Sequence, residues 1–236
     1  MKHRKLIGGS LVALGLVVAG VSAYNAWGQD WVSSMAQSQL ASQYGPNSKN
    51  SDATGSQSQP VSAKTFIDPE KATHLADIFG EVYIPRLGDK WSRLVAEGVK
   101  WQPVLNEIGI GHYPTSQMPG EVGNFAVAAH RGGFGGAFRD IHRIKTGDHV
   151  YVLTNQGWFD YEYMQTKIVK PSDVDVINPV PKELKGAIVG GQYMTLTSCT
   201  PIFVNTNRII VWLKLVGTRT LQQGPPPEIA NSVAGG

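Results

Sequence analysis

Cysteine is almost missing from this chain: its 236 residues carry one, Cys199. A lone thiol closes no internal disulfide and builds no multi-cysteine zinc site. Charge is sparse too, at 17% of residues with a formal net charge of +3. Beyond Met1-Lys2-His3-Arg4-Lys5 no basic run occurs, which excludes the broad cationic surface of a nucleic-acid-binding protein. His112, His142 and His149 fall at no metal-ligand spacing, so surface or hairpin roles are expected of them. Asp173, Asp175 and Glu183 read as a solvated loop rather than calcium ligands. No metal and no other cofactor is expected. Internal repeats and βαβ alternation are also absent, which argues against a solenoid and a doubly wound sheet.

What is present begins with Leu6 to Ala23, 18 residues without one charge, the lower limit for spanning a bilayer. The basic flank lies before it, and Tyr24 and Trp27 follow where interfacial aromatics sit. The expectation is a single-pass anchor over residues 1–27 with the N-terminus in the cytoplasm and everything later outside. Val21-Ser22-Ala23 also resembles a signal-peptide cleavage site, and that alternative stays open. Residues 28–65 are read as a largely flexible extracytoplasmic spacer. Within them Asp30 to Gln43 has helical character, N-capped by Asp30, and is expected to continue the span or lie on the membrane surface. The Gly/Asn/Ser/Gln/Pro stretch from Gly45 to Ala63 has nothing to bury.

The folded domain is placed at residues 66–221 and a disordered tail at 222–236. Short β-like runs dominate: Phe79–Ile84, Asn124–His130, Tyr193–Cys199 and Arg208–Val216. His149–Thr154 and Trp158–Val169 form a hairpin across Asn155-Gln156-Gly157. Trp91–Val99 is read as a helix ending at Gly98, and Phe138–Arg143 as a short helix or turn. Many strands and few helices predict an all-β, closed or nearly closed antiparallel barrel.

The chemistry centres on Thr195-Leu196-Thr197-Ser198-Cys199, a strand ending in a thiol, followed by Thr200-Pro201 and a second strand opened by Arg208. Alone, such a cysteine is usually a small buried hydrophobe and such an arginine a solvated charge. His130 changes the weighing, because it closes an apolar strand of the same domain before the loop Arg131-Gly132-Gly133. A thiolate nucleophile, an imidazole that protonates a leaving amine and a guanidinium facing the oxyanion together suit acyl transfer.

These residues resemble those of the sortase family. Thr195 to Cys199 with Arg208 nine positions later is similar to the sortase active-site signature, and Ala129-His130-Arg131 to the motif of its histidine. Tyr83-Ile84-Pro85-Arg86-Leu87-Gly88, Gly111-His112-Tyr113-Pro114, Met118–Ala126 and Ile168-Val169-Lys170-Pro171 resemble the class E, actinobacterial-type members. The chain departs from many relatives at Ser198, where Thr is common, and at Gly132-Gly133, where Thr-Thr is common.

The resemblance implies an eight-stranded sortase-type β-barrel with short helices, preceded by an N-terminal transmembrane helix. It implies a cysteine transpeptidase that cuts an LPXTG-type or, for class E, LAXTG sorting signal between Thr and Gly. The thioacyl-enzyme then passes to an amine of a peptidoglycan precursor. Partners would be secreted proteins bearing that signal, the precursor and the membrane, with no nucleic acid. Cys199 would be the nucleophile, His130 the general acid and later base, and Arg208 the oxyanion or substrate clamp. Tyr113, Thr197 and Ser198 would line the substrate groove. Two alternatives remain: a pilin-polymerising sortase, and a membrane-tethered binding module whose thiol is incidental.

Overall fold

The computed structural model describes residues 15–22, 24, 28–44 and 66–234. Eight strands close into one barrel: β1 (Ile78–Tyr83), β2 (Ser92–Glu97), β3 (Ile110–His112), β4 (Gly123–Ala128), β5 (His149–Thr154), β6 (Gly157–Val169), β7 (Gln192–Thr200) and β8 (Asn207–Arg219). Their order around the barrel is β1-β2-β3-β4-β7-β8-β6-β5. Two contacts, β2 with β3 and β4 with β7, are parallel, so the wall is mixed rather than wholly antiparallel.

Alternation decides which side chains fill the interior. On β7, Met194 and Leu196 join Phe79, Val82, Val95, Phe125, Val127 and Val211 in the central core. Tyr193 points the other way, joining Val169, Val176, Ile210 and Trp212 beneath the β6–β7 loop. The Trp212 indole donates to the Val176 carbonyl at 3.1 Å and so holds that loop down. Thr197 and Cys199 follow Tyr193 on the outer face by the same period.

Trp91–Val99 forms a strand rather than the expected helix. Leu94 packs outside and Val95 inside, a two-residue period, and β2 pairs with β1. The helical turns lie just after it, at Trp101–Ile108. There Leu105 and Gly109 donate to the carbonyls of Lys100 and Val104, a wider winding than an α-helix.

Helix α1 (Gln29–Tyr44) begins one residue before Asp30, which sits in its first turn. It is docked on the barrel rather than free. Asp30 accepts from the Gly135 N–H at 3.0 Å, Ser33 is buried, and Gln37 donates to the carbonyls of Glu107 and Ile108. Leu40 and Tyr44 pack against the outer cluster of Tyr83, Leu94, Tyr151 and Trp158. That cluster is also covered by the C-terminal segment read above as a disordered tail. Leu221–Gln223, Pro227–Ile229 and α2 (Ala230–Ala234) form helical turns, and Ile229 and Val233 are buried. The apolar Ile229 and Val233, four apart, supply the packing face that the preceding Pro/Gly run obscured.

The expected membrane span lies partly outside the described residues. Residues 15–22 are helical with Leu16, Val17, Val18 and Val21 exposed, and no helix among the described residues is long and apolar enough to cross a membrane. The Gly45–Ala63 stretch also falls outside them.

Candidate active site

Strand pairing brings the two halves of the Cys/Arg unit together. Cys199 on β7 stands directly opposite Arg208 on β8, both on the outer face and both partly exposed. Parallel pairing of β4 with β7 sets Ala128 beside Thr197, which carries the chain after β4 to the same end of the barrel. His130 therefore lines one groove of about 440 Å³ with Cys199, Arg208, Thr197 and Tyr113.

Two side-chain rungs fix this juxtaposition. The Ser198 hydroxyl donates to the Ala129 carbonyl at 2.7 Å, and the Arg131 guanidinium donates to the Thr200 hydroxyl at 2.6 Å. Each neighbour of Cys199 is thus tied to a neighbour of His130. Arg131 is buried, and it also donates to the Arg139 carbonyl and to His142 Nδ1. The His130 carbonyl accepts from the Phe138 N–H at 3.0 Å. The Gly132-Gly133 departure is a tight loop: a Cβ at Gly132 would lie 2.7 Å from the Phe203 ring, and Gly133 has φ +72°.

The imidazole of His130 stands between Trp101, edge-on at 6.0 Å, and Phe134 at 5.2 Å. Its Nε2 lies 2.8 Å from Oδ1 of the buried Asn106. Burial among these groups lowers the His130 pKa from its ordinary value, because water no longer solvates the cation. The Arg208 guanidinium donates to the carbonyls of Asn205 and Asn207, and the side chain lines the groove.

Of the other residues singled out, Tyr113 bonds the Thr197 hydroxyl at 3.0 Å across the groove floor. Thr197 itself donates to the Val127 carbonyl at 3.2 Å. Ser198 is also among the residues lining the groove, but its hydroxyl is buried and donates to the Ala129 carbonyl. His112, expected at the surface or in a hairpin, is 2% exposed and bonded to Glu97 at 2.6 Å inside the barrel end. His149 does serve a hairpin, bonding Asp160 across β5 and β6. Glu183 is held by Lys167, and Asp173 accepts from the Lys170 N–H in its own turn.

Sequence reasoning missed Asn106 and Arg131 as parts of this centre. Asn106 falls in a stretch to which the sequence reading assigned no element. Arg131 was visible only as the residue after His130, and its inward turn depends on Thr200 across the sheet.

A thiol, an imidazole and a guanidinium in one partly apolar groove on a closed barrel define a cysteine acyl-transfer enzyme. The comparisons name the group. The sortase domain family matches residues 82–216, and the chain belongs to the sortase family, whose members are cysteine transpeptidases. Sortase SrtE2 of Streptomyces coelicolor is 30% identical over 235 residues, covering 95% of this chain and 87% of that one. Sortase SrtE1 of the same organism is 36% identical over 143 residues, 58% of this chain, and the match spans 40% of that relative's length. Among solved structures, sortase E from Streptomyces avermitilis is 38% identical with a TM-score of 0.59, covering 64% of this chain and 96% of that one. Sortase E1 from Streptomyces coelicolor with a tripeptide in the active site gives 35% identity and a TM-score of 0.61 over the same shares. The chain is therefore a class E-like sortase.

Proposed function

We propose that this sortase anchors secreted proteins to the cell wall from a membrane-tethered position. Cys199 attacks the Thr carbonyl of an LAXTG- or LPXTG-type sorting signal, and His130 protonates the leaving glycine amine. Arg208 faces the oxyanion of the tetrahedral intermediate. The thioester divides one difficult amide exchange into two acyl transfers, and a peptidoglycan-precursor amine resolves it. The apolar Val99, Trp101 and Leu105 border the groove and keep water from competing with that amine.

The observation that carries this reading is the Cys199–Arg208 pair facing the same groove as His130. The pilin-polymerising alternative needs a lid over the groove. Asp68-Pro69 does not line the groove; Asp68 instead accepts from Glu70 N–H and Gln156 near the β5–β6 hairpin. The 18-residue apolar run Leu6–Ala23 behind a basic stub supports a retained anchor, with the catalytic domain outside.

The test incubates the full chain in detergent with LAXTG and LPXTG peptides and several amine acceptors. A covalent adduct at Cys199 by mass spectrometry and amine-dependent transfer are expected. Absence of both, with wild type and Cys199→Ala indistinguishable, favours the binding module. Membrane placement is tested separately: the protein should stay with membranes after alkaline extraction, and release by that wash would end the anchor reading.

A further inference from the structure

Helix α1 has two faces of opposite character. Its docked stripe, Asp30, Ser33, Gln37, Leu40 and Tyr44, recurs every three or four residues and lands first on the loop that leaves His130. Asp30 accepts from the Gly135 N–H at 3.0 Å and pairs with Arg139 at 3.5 Å. A Cβ at Gly133 would meet the Gln29 side chain at 2.6 Å, and one at Gly135 the Ser33 hydroxyl at 2.9 Å, so the two glycines admit the helix this closely. On the opposite face Trp31, Val32 and Met35 are 65%, 46% and 46% exposed. At about 100° per residue they centre on the side turned away from the barrel. Further along, the exposed Ser38, Gln39 and Gln43 are polar. The bare apolar surface is thus confined to the end of α1 nearer the Leu6–Ala23 run, where Leu16, Val17, Val18, Val21 and Tyr24 are exposed as well.

We propose that the N-terminal half of α1 binds the phospholipid surface, with Trp31, Val32 and Met35 in the boundary between headgroups and acyl chains, and so holds the His130 end of the barrel at the bilayer. Three features favour a lipid surface over a second copy of this chain. Three apolar side chains fall far short of the roughly 800 Å² per partner of a stable protein interface. One of them is a tryptophan, whose apolar ring and polar N–H suit that boundary. The segment gripped by Asp30 also exposes Arg139, Arg143 and Lys145 around one acid, Asp140, and such cations favour phosphate headgroups. A helix with its side chains is about 10 Å across, so the Gly133–Gly135 loop stands about that far from the headgroup layer. The groove beside this loop is thereby offered to acceptors confined to the membrane plane, whose effective concentration the shared surface raises.

This placement deepens, and rests on, the membrane-tethered reading proposed above, and the test separates the two. The full chain is reconstituted in vesicles of phosphatidylcholine and phosphatidylglycerol, with and without a nitroxide-labelled phospholipid. Because Trp27 precedes the helix, the readout is the difference between wild type and Trp31→Phe. The nitroxide-quenched share of the emission should fall in Trp31→Phe; equal quenching of the two proteins overturns the proposal. Val32→Ser combined with Met35→Ser should transfer peptide about 10-fold less to diglycine carried on a phospholipid headgroup, the shift for two half-buried apolar side chains lost. Transfer to free diglycine should stay at the wild-type rate. Equal losses on both acceptors, or no loss on the lipid-borne one, overturn the proposal. Cross-linking of copies through this face without nitroxide quenching assigns it to a dimer and also overturns it. A wild type that transfers to neither acceptor sinks the proposed function, and the quenching still decides where α1 lies. Release by the alkaline wash, with Trp31 quenched at neutral pH, ends the spanning anchor and supports the helix at the interface.

Discussion

His112 and His130 end or follow adjacent strands of one barrel, yet their surroundings assign them opposite duties. His112 has both nitrogens engaged: Nδ1 with Glu97 at 2.6 Å, and Nε2 with the Ser116 hydroxyl at 2.9 Å and the Gln117 carbonyl at 3.2 Å. Its ring stacks on Phe125 and meets Phe79 edge-on, so it is core. His130 has one nitrogen engaged, and it lines a groove that also holds a thiol. A saturated imidazole stabilises a fold, and an unsaturated one beside a nucleophile is available for proton transfer. Both follow an apolar strand in the sequence, so the distinction is one of partners rather than pattern.

The largest effect should come from removing the open member. His130→Ala or Cys199→Ala should cut transpeptidation by about 10³-fold or more, since residues acting as one unit fail together. Thermal melting should barely move; an equal loss of fold would erase the contrast. His112→Ala should reverse the pattern by leaving the buried Glu97 without its partner. Loss of about 3 kcal/mol is expected in chemical denaturation, with activity per folded molecule retained.

A middle-sized effect tests the rungs. Arg131→Met should cost about 1–3 kcal/mol, because the Thr200 hydroxyl and Arg139 carbonyl lose a buried donor. It should also lower kcat, since one of the two side-chain rungs between the His130 segment and the Cys199 strand would be lost. Unchanged kcat would make Arg131 purely structural.

Stability against pH sharpens the comparison further. The folded-state pKa of His130 is lowered, so below the ordinary histidine value of about 6.5 the unfolded chain binds more protons there. Stability supplied at this position therefore falls as pH drops from that value toward the folded pKa. His130→Gln should flatten that part of the curve in denaturant titrations, and an unchanged slope would assign it to other groups. The smallest effect is expected for Tyr113→Phe, about 0.5–1.5 kcal/mol from the lost bond to Thr197. Comparing LAXTG with LPXTG turnover in that variant tests whether the hydroxyl also takes part in choosing the second residue.

Much of the barrel was legible. β1, β4 to β8 and the β5–β6 hairpin follow from apolar runs bounded by turn residues. β2 was not, because Leu94-Val95 with Gly98 fits a short helix as well as a strand until β1 is there to pair with it. β3 is three residues long, too short to show any period. Helix α1 and the C-terminal segment carry so few apolar residues that only the barrel's outer cluster reveals where those residues go. Ser198 was expected to line the groove, and it does border it, but which partner its hydroxyl takes, the Ala129 carbonyl, was not legible.

The sequence by itself determined the reactive groups, their order and the family, because a single thiol followed at fixed distance by Arg208 leaves few other readings. Only the tertiary structure decided which partners each histidine meets, which amide lies against His130 and which arginine binds the two strands together. Those depend on contacts between residues far apart along the chain, such as Asn106 with His130 and Arg131 with Thr200, and local pattern carries no information about hydrogen-bond partners delivered by barrel closure.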